Sequence, residues 1–340
     1  MGTDSLLVRA ARGERTERPP VWLMRQAGRS DPEYLRLREA SGLPLEDLFR
    51  HPEWASTLSL LPRRIGVDAI IFYQDILIPL GPLGAEFVFR PGPQLVTPVA
   101  KVDDLERLQP FDVAEKLGFV GETLDRLHTA LAGELPVLGF AGAPFTDLVF
   151  ILEGGSFGDA IPKTEHYLKH HAEAVHAALE RLTAMTIAYL KYQAEHHVVA
   201  VQLFESAAHL VDGAVYREFA LPYQQRVFEA LRGTVKTINF ARELHDVALL
   251  GAAGADIVSL PAGVTIPEAR AILGPDAVVQ GNLDNHLLAH GTWPEIEAAA
   301  RACLAGGEQH GHIFNLSHGL LRDTPFEHVC KLVALVRGEA

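Results

Sequence analysis

The stretch Pro20-Val-Trp-Leu-Met-Arg-Gln-Ala-Gly-Arg29 separates the two common ways of building a parallel α/β protein. Val21–Met24 is a short apolar run of the kind that forms a strand buried on both faces. The turn after such a first strand is diagnostic. An open, doubly wound dinucleotide-binding sheet carries G-x-G-x-x-G there, because glycine lets the backbone approach a pyrophosphate closely. Here the turn is Arg25-Gln26-Ala27-Gly28-Arg29, with one glycine and two arginines. The choice therefore moves to a barrel, where side chains at the C-terminal strand ends bind and react.

Seven more strand-like runs follow: Val67–Tyr73, Pro136–Ala141, Val198–Phe204, Val235–Phe240, Asp256–Leu260, Ala277–Gly281 and His312–Leu316. They are short, rich in Val, Ile, Leu and Phe, and several are bounded by Gly, Pro, Asp or Asn. Between them lie helical patterns at Ala172–His196, Val215–Leu231, Pro267–Leu273 and Trp293–Ala305. Asp323-Thr324-Pro325-Phe326-Glu327 reads as a helix start with Thr324 as cap and Pro325 in the first turn. Eight strands alternating with helices predict a single-domain (β/α)8 TIM barrel over residues 19–340, after a polar segment at 1–18. A chain of 340 residues suits one such domain.

The net charge of −13 argues against non-specific binding to nucleic acid. Its distribution is uneven. Residues 1–50 hold nine arginines against eight carboxylates, a net of +1, and the other 290 residues carry −14. An anionic ligand is therefore best received by the N-terminal part. Arg9, Arg12, Arg15 and Arg18, in a polar terminal segment, are expected on a solvated face. No apolar run reaches 18 residues, no signal-peptide core opens the chain, and Leu6 breaks the myristoylation pattern that Gly2 begins. Cys303 and Cys330 give neither a disulfide framework nor a metal motif, and suit a reducing, cytoplasmic setting. His170-His171 and His196-His197 are adjacent pairs that cannot share a ligand face, so no metal is expected.

The polar residues gather at strand ends. Arg25 and Arg29 follow the first strand, and Gln74 and Asp75 the second. Glu205 and Ser206 follow the fourth, and Arg242, Glu243 and His245 the fifth. Asn282 and Asp284 follow the seventh, and Ser317 and His318 the eighth. Guanidinium forks suit carboxylates. Asp75, flanked by apolar residues, reads either as a salt-bridge partner of Arg25 or Arg29, or as an acceptor and counter-ion in a dry site. His318 offers an acid, a base or a hydrogen-bond donor. Glu153-Gly-Gly-Ser-Phe-Gly158 lacks the phosphate-loop pattern and reads as a lid, hinge or plain loop.

Several strings together resemble the uroporphyrinogen decarboxylase family. They are Pro20–Arg29, Asp75-Ile-Leu, Gly139-Phe-Ala-Gly-Ala-Pro-Phe-Thr146, Gln202-Leu-Phe-Glu-Ser206, Arg217-Glu-Phe-Ala-Leu-Pro-Tyr223, Gln280-Gly-Asn-Leu-Asp284 and Gly311-His-Ile-Phe-Asn-Leu-Ser-His-Gly319. The resemblance runs from about Pro19 to about Val336. It implies a cofactor-free, homodimeric TIM barrel that removes the four acetate carboxyls of uroporphyrinogen III to give coproporphyrinogen III. Arg25, Arg29 and Arg38 resemble carboxylate-binding arginines of the family. Asp75 resembles the residue that accepts the pyrrole N–H groups. Ser206 and His318 resemble substrate contacts, and Phe150 stands where the family's substrate-facing tyrosine usually stands.

Other departures lie at the mouth. Ser30-Asp31 replaces Tyr-Leu, Gln74 replaces Ser, Ala241–His245 replaces a Gly-rich turn, and Pro261-Ala-Gly263 replaces Asp-Trp-Thr. Two other readings belong beside the enzyme. One is a non-catalytic tetrapyrrole binder. The other is a corrinoid-dependent methyltransferase of the same superfamily, which needs a Cys/His zinc site that the contexts of Cys303 and Cys330 do not supply.

Overall fold

A computed structural model describes residues 4–308 and 310–339. Gly2, considered above for lipidation, lies outside the described residues, as do the outermost residues of the two expected segments. Nine strands are present among the described residues: β1 Ile70–Ile71, β2 Phe87–Phe89, β3 Pro93–Leu95, β4 Val137–Gly142, β5 Ala200–Glu205, β6 Lys236–Ala241, β7 Ile257–Ser259, β8 Val278–Gln280 and β9 His312–Ile313. Seven form one parallel sheet in the order β1-β4-β5-β6-β7-β8-β9. β2 and β3 make a separate antiparallel hairpin, which the sequence reading did not include.

The expected first strand, Val21–Met24, is not a regular strand; it makes one parallel bridge, Val21 to Phe314. Side chains take the donors that a ladder would use. Val21 N–H donates to Asp68 Oδ2 at 2.8 Å, Leu23 N–H to Gln26 Oε1 at 3.0 Å and Met24 N–H to Asn315 Oδ1 at 3.1 Å. Buried backbone groups need partners but do not need backbone partners. Both edges of the sheet reach this segment, through Asp68 N–H to Val21 O at 2.7 Å and Phe314 N–H to Pro20 O at 2.8 Å. The sheet is therefore curled.

Helices cover the outer face between strands. Ala172–Glu195 is the longest, and it buries Val175, Ala178, Leu179, Leu182, Thr186, Tyr189 and Gln193 at helical spacing. Gln193 clamps β4, accepting from Phe140 N–H and donating to Phe140 O, both at 2.8 Å. Gly139 makes room for that clamp, since a Cβ there would overlap Gln193 Oε1. The expected Val215–Leu231 helix is interrupted by a π turn, Tyr216–Ala220, before Leu221–Leu231. Pro222 has no N–H to give to residue 218, so the chain widens there.

Three further expectations change. The last helix is Phe326–Arg337 with Pro325 at its cap position, while Thr324 Oγ1 accepts from Leu321 N–H instead. The glycine-rich stretch after Pro144–Glu153 is pinned: Gly154 O accepts from Leu95 N–H at 3.0 Å, and Ser156 N–H donates to Pro93 O at 3.1 Å. Arg18 forks onto Asp68 at 2.6 and 2.7 Å instead of lying free, and Leu6–Ala11 is a helix that buries Leu7 and Ala10.

Candidate active site

The C-terminal ends of the strands carry an arc of aromatic rings. Phe72 and Phe140 lie 5.1 Å apart between centroids, Phe140 and Phe204 5.7 Å, and Phe204 and Phe240 5.4 Å. His318 closes the arc edge-on, 5.5 Å from Phe240. Strand geometry explains it. Side chains alternate between faces, and the register sets Phe204 directly opposite Phe240. The arc is an apolar floor with polar groups above and around it.

Arg25 begins the polar part. Its backbone is left-handed, with φ 62°, an unusual state for a residue with a Cβ. Surrounding contacts hold it there. Gln26 donates through Nε2 to Ala69 O at 3.0 Å, and a Cβ on Gly28 would come within 2.8 Å of Arg25 O. The Arg25 side chain lies over Gly319, where a Cβ would sit 2.5 Å from its Cδ. Part of Arg25 is open to solvent while protein surrounds the rest. Burial lowers its pKa from the ordinary arginine value, Asp75 opposes that shift, and Arg29 and Arg242 add to it. It remains a cation at neutral pH.

Asp75 sits in a turn, accepting from Leu77 N–H at 3.0 Å through Oδ1. It is partly solvent-accessible and densely surrounded by protein. Burial pushes its pKa up to about 6, against the Leu77 hydrogen bond and the charge of Arg25. Of the two readings of Asp75, direct salt bridge or free acceptor, the geometry favours the second. Arg25 and Arg29 form no ion pair within 4.0 Å among the described residues, nor does Arg38.

His318 Nδ1 accepts from Gly319 N–H at 2.6 Å. Burial first, then Arg25, Arg242, His209 and His286, push its pKa down to about 3. It is therefore neutral at physiological pH, with its proton on Nε2, which leaves one N–H to offer.

The other expected residues divide. Arg38 is half-buried and acts electrostatically on Tyr73, whose hydroxyl is 2.8 Å from that of Tyr34. Ser206 is half-buried and begins the turn after β5, two residues beyond Phe204. Phe150 packs on Phe157 at 4.7 Å and on Phe87 of the hairpin at 6.4 Å.

The sequence reading missed two features. One is the phenylalanine arc, whose only signal was a Phe near the end of four successive strand-like runs. The other is a buried acidic pair. Glu205 and Asp147 are each at most 1% exposed. Glu205 accepts from Thr146 Oγ1 and, at 3.0 Å, from Gln224 Nε2. Burial raises Glu205 to about 7, its hydrogen bonds opposing; burial and then the charge of Glu205 raise Asp147 well above the usual carboxylate range.

A family model described as uroporphyrinogen decarboxylase matches residues 3–338. A uroporphyrinogen decarboxylase of Myxococcus xanthus is 38% identical over 323 residues, covering 94% of this chain and 91% of its own length. One from Salinispora tropica is 39% identical over 339 residues, covering 98% and 90%. Among solved structures, a methyltransferase from Methanosarcina mazei superposes with a TM-score of 0.81 over 98% of both chains, at 18% identity, a likeness of fold alone. Read with the site at the strand ends, the match over nearly the whole length settles the assignment: the chain belongs to the uroporphyrinogen decarboxylase family.

Proposed function

We propose that this chain is a carboxy-lyase that decarboxylates the four acetate side chains of uroporphyrinogen III, giving coproporphyrinogen III in tetrapyrrole (haem) biosynthesis. The observation that carries this reading is the pairing of an acceptor carboxylate, Asp75, with nearby arginines that have no acidic partner, above an aromatic floor. A flat, carboxylate-fringed macrocycle with inward-facing N–H groups matches each part. The floor takes the apolar ring face. Arg25, Arg29 and Arg38 take peripheral carboxylates in bidentate fashion. The free Asp75 oxygen accepts pyrrole N–H groups, while Ser206 and the Nε2–H of His318 hold a carboxylate. Phe150 adds apolar packing at the rim.

The chemistry needs an electron sink, and the substrate provides one. A proton added to a pyrrole carbon makes that ring cationic, and the C–C bond to the acetate carboxylate breaks towards it. Carbon dioxide leaves, and a proton on the exocyclic carbon completes a methyl group as the ring proton departs. Each cycle consumes one proton and needs no cofactor. Asp75 stabilises the cation, which exists only after the first proton transfer, so its contribution falls on the barrier.

The hydrogen bonds of Pro20–Met24 to both sheet edges support reading that segment as the eighth stave of a closed barrel. Trp22 Nε1 to Gln280 at 3.1 Å, and Gln280 to Gln202 at 2.8 Å, support a filled interior beneath the floor. Residues 19–340 then make one domain, with 1–18 an appendage to it. No described helix is long and apolar enough to cross a membrane. The family reading further supports a cytoplasmic homodimer without nucleic acid, and light scattering in solution tests the dimer. Anaerobic incubation with uroporphyrinogen III, followed by chromatography, tests the activity. Stepwise appearance of intermediates and coproporphyrinogen is expected. Binding without any product makes the chain a tetrapyrrole binder.

A further inference from the structure

Arg242 has no assigned role, and its sequence context departs from the family's Gly-rich turn. Its backbone N–H donates to Glu205 O at 2.9 Å, continuing the pairing of β6 with β5 by one residue. Phe240 lies in the aromatic arc, and Arg242 follows it by two residues, as the first residue of the turn after β6. The groups it influences agree with that placement, since its charge is felt at Arg25, at His318 and at His209. One acid touches it. Glu243 Oε1 accepts from Arg242 Nε at 3.2 Å, in an exposed pair of the weak kind. The two terminal nitrogens of the guanidinium form no hydrogen bond among the described residues. His209, on the turn after β5, keeps both ring nitrogens away from solvent with no side-chain partner, the backbone of Ser206 being the one polar group near the ring. Arginine and imidazole groups collected beside the aromatic arc, with Glu243 against Arg242 and Asp159 further off near His209, form a receptor for an anion smaller than the macrocycle.

We propose that Arg242 and His209 form a second carboxylate clamp that holds one peripheral acetate or propionate chain of the tetrapyrrole, on the side of the arc away from Asp75, and that Glu243 competes with that chain for Arg242. This rests on the decarboxylase reading above. The clamp sets how tightly the macrocycle is held and does not touch the reacting bonds. Binding that is equal in ground and transition states moves KM and leaves kcat in place.

The test is anaerobic kinetics on the full-length protein with uroporphyrinogen III, with coproporphyrinogen III as product inhibitor. Arg242→Gln is expected to raise KM about tenfold with kcat within about twofold, and Arg242→Lys to fall between. Glu243→Gln is expected to lower KM two- to threefold, about the size of a weak surface pair; a merely structural role for Arg242 does not predict that opposite sign. His209→Ala is expected to raise KM about threefold. If the clamp holds a propionate, the product inhibition constant rises with KM in Arg242→Gln; if it holds an acetate, only KM moves. An active wild type whose KM is unmoved by Arg242→Gln and Glu243→Gln overturns the clamp alone. A wild type that makes no coproporphyrinogen overturns the decarboxylase reading and the clamp with it.

Discussion

Asp75 carries the account at the level of single residues. It is a densely surrounded carboxylate held in a turn by one backbone N–H, close enough to Arg25 to feel its charge. Removing its charge while keeping its shape should cost far more than removing a peripheral hydroxyl. Asp75→Asn is expected to lower kcat by about 10²-fold or more, the scale found for losing one well-aimed electrostatic stabiliser, and Ser206→Ala by less than about tenfold. Equal losses in the two variants contradict the role given to Asp75. The pH dependence follows from the same group. With its pKa raised to about 6, Asp75 is ionised above that pH and takes up a proton below it. Therefore kcat/KM is expected to fall as the pH drops through about 6, and a limb that stays flat down to pH 5 argues against an ionised Asp75. His318, pushed down to about 3, stays neutral across this window and contributes no limb. These residues were legible in the sequence because polar groups directly after apolar runs stand out. Asp147 was not, since a lone acid in a helical stretch carries no mark of burial until the fold brings Glu205 beside it.

At the level of elements, the Arg25–Arg29 turn and the loop after β9 are one device. Gly319 has no side chain because the Arg25 stem occupies that space. Gly319→Ala places a Cβ 2.5 Å from Arg25 Cδ and within 2.9 Å of its Cγ and Nε, so the stem and the guanidinium must move. The protein is expected to fold, with a Tm within a few degrees of wild type, and to lose about tenfold or more in activity, because small misplacements of a binding group are costly. Activity equal to wild type shows that Arg25 does not need this seat. The expected strand at Val21–Met24 shows the limit of reading elements by hydropathy. Its residues are buried and run between the sheet edges, as an apolar run suggests. Its hydrogen bonds go largely to Asp68, Gln26 and Asn315, whose sequence distance from it nothing in the run reveals. The β2–β3 hairpin escaped for a related reason. Two three-residue strands separated by Arg90-Pro-Gly92 are too short to show alternation, and tertiary packing on Phe49 and Phe150 supports them.

For the whole molecule, the acidic pair beneath the site shapes stability. Glu205 binds its proton more tightly in the folded state, at about 7, than in the unfolded chain, and Asp147 is shifted in the same direction. Raised carboxylate pKa values stabilise the fold fully below the unfolded value near 4 and lose that contribution as the pH rises through about 7. The Glu205 contribution should thus decline between about pH 4 and pH 7. Asp147→Asn, which cannot ionise, is expected to be more stable than wild type by a margin that grows as the pH rises, read as a Tm difference larger at pH 8 than at pH 5. A Tm difference that does not change with pH contradicts the buried, proton-holding state of Asp147. The general architecture was readable at this scale because parallel α/β chains repeat one local pattern. The aromatic arc was not, because neighbouring phenylalanines in it are 36 to 68 residues apart and only the sheet makes them neighbours.

The central claim is that the Asp75 site decarboxylates uroporphyrinogen, and one paired measurement tests it most directly. Wild type and Asp75→Asn are incubated anaerobically with uroporphyrinogen III, and both carbon dioxide and the tetrapyrrole products are followed. The account predicts four equivalents of carbon dioxide per coproporphyrinogen from the wild type, and at most a few per cent of that rate from the folded variant. A folded wild type that releases none, or a variant that keeps the wild-type rate, contradicts it.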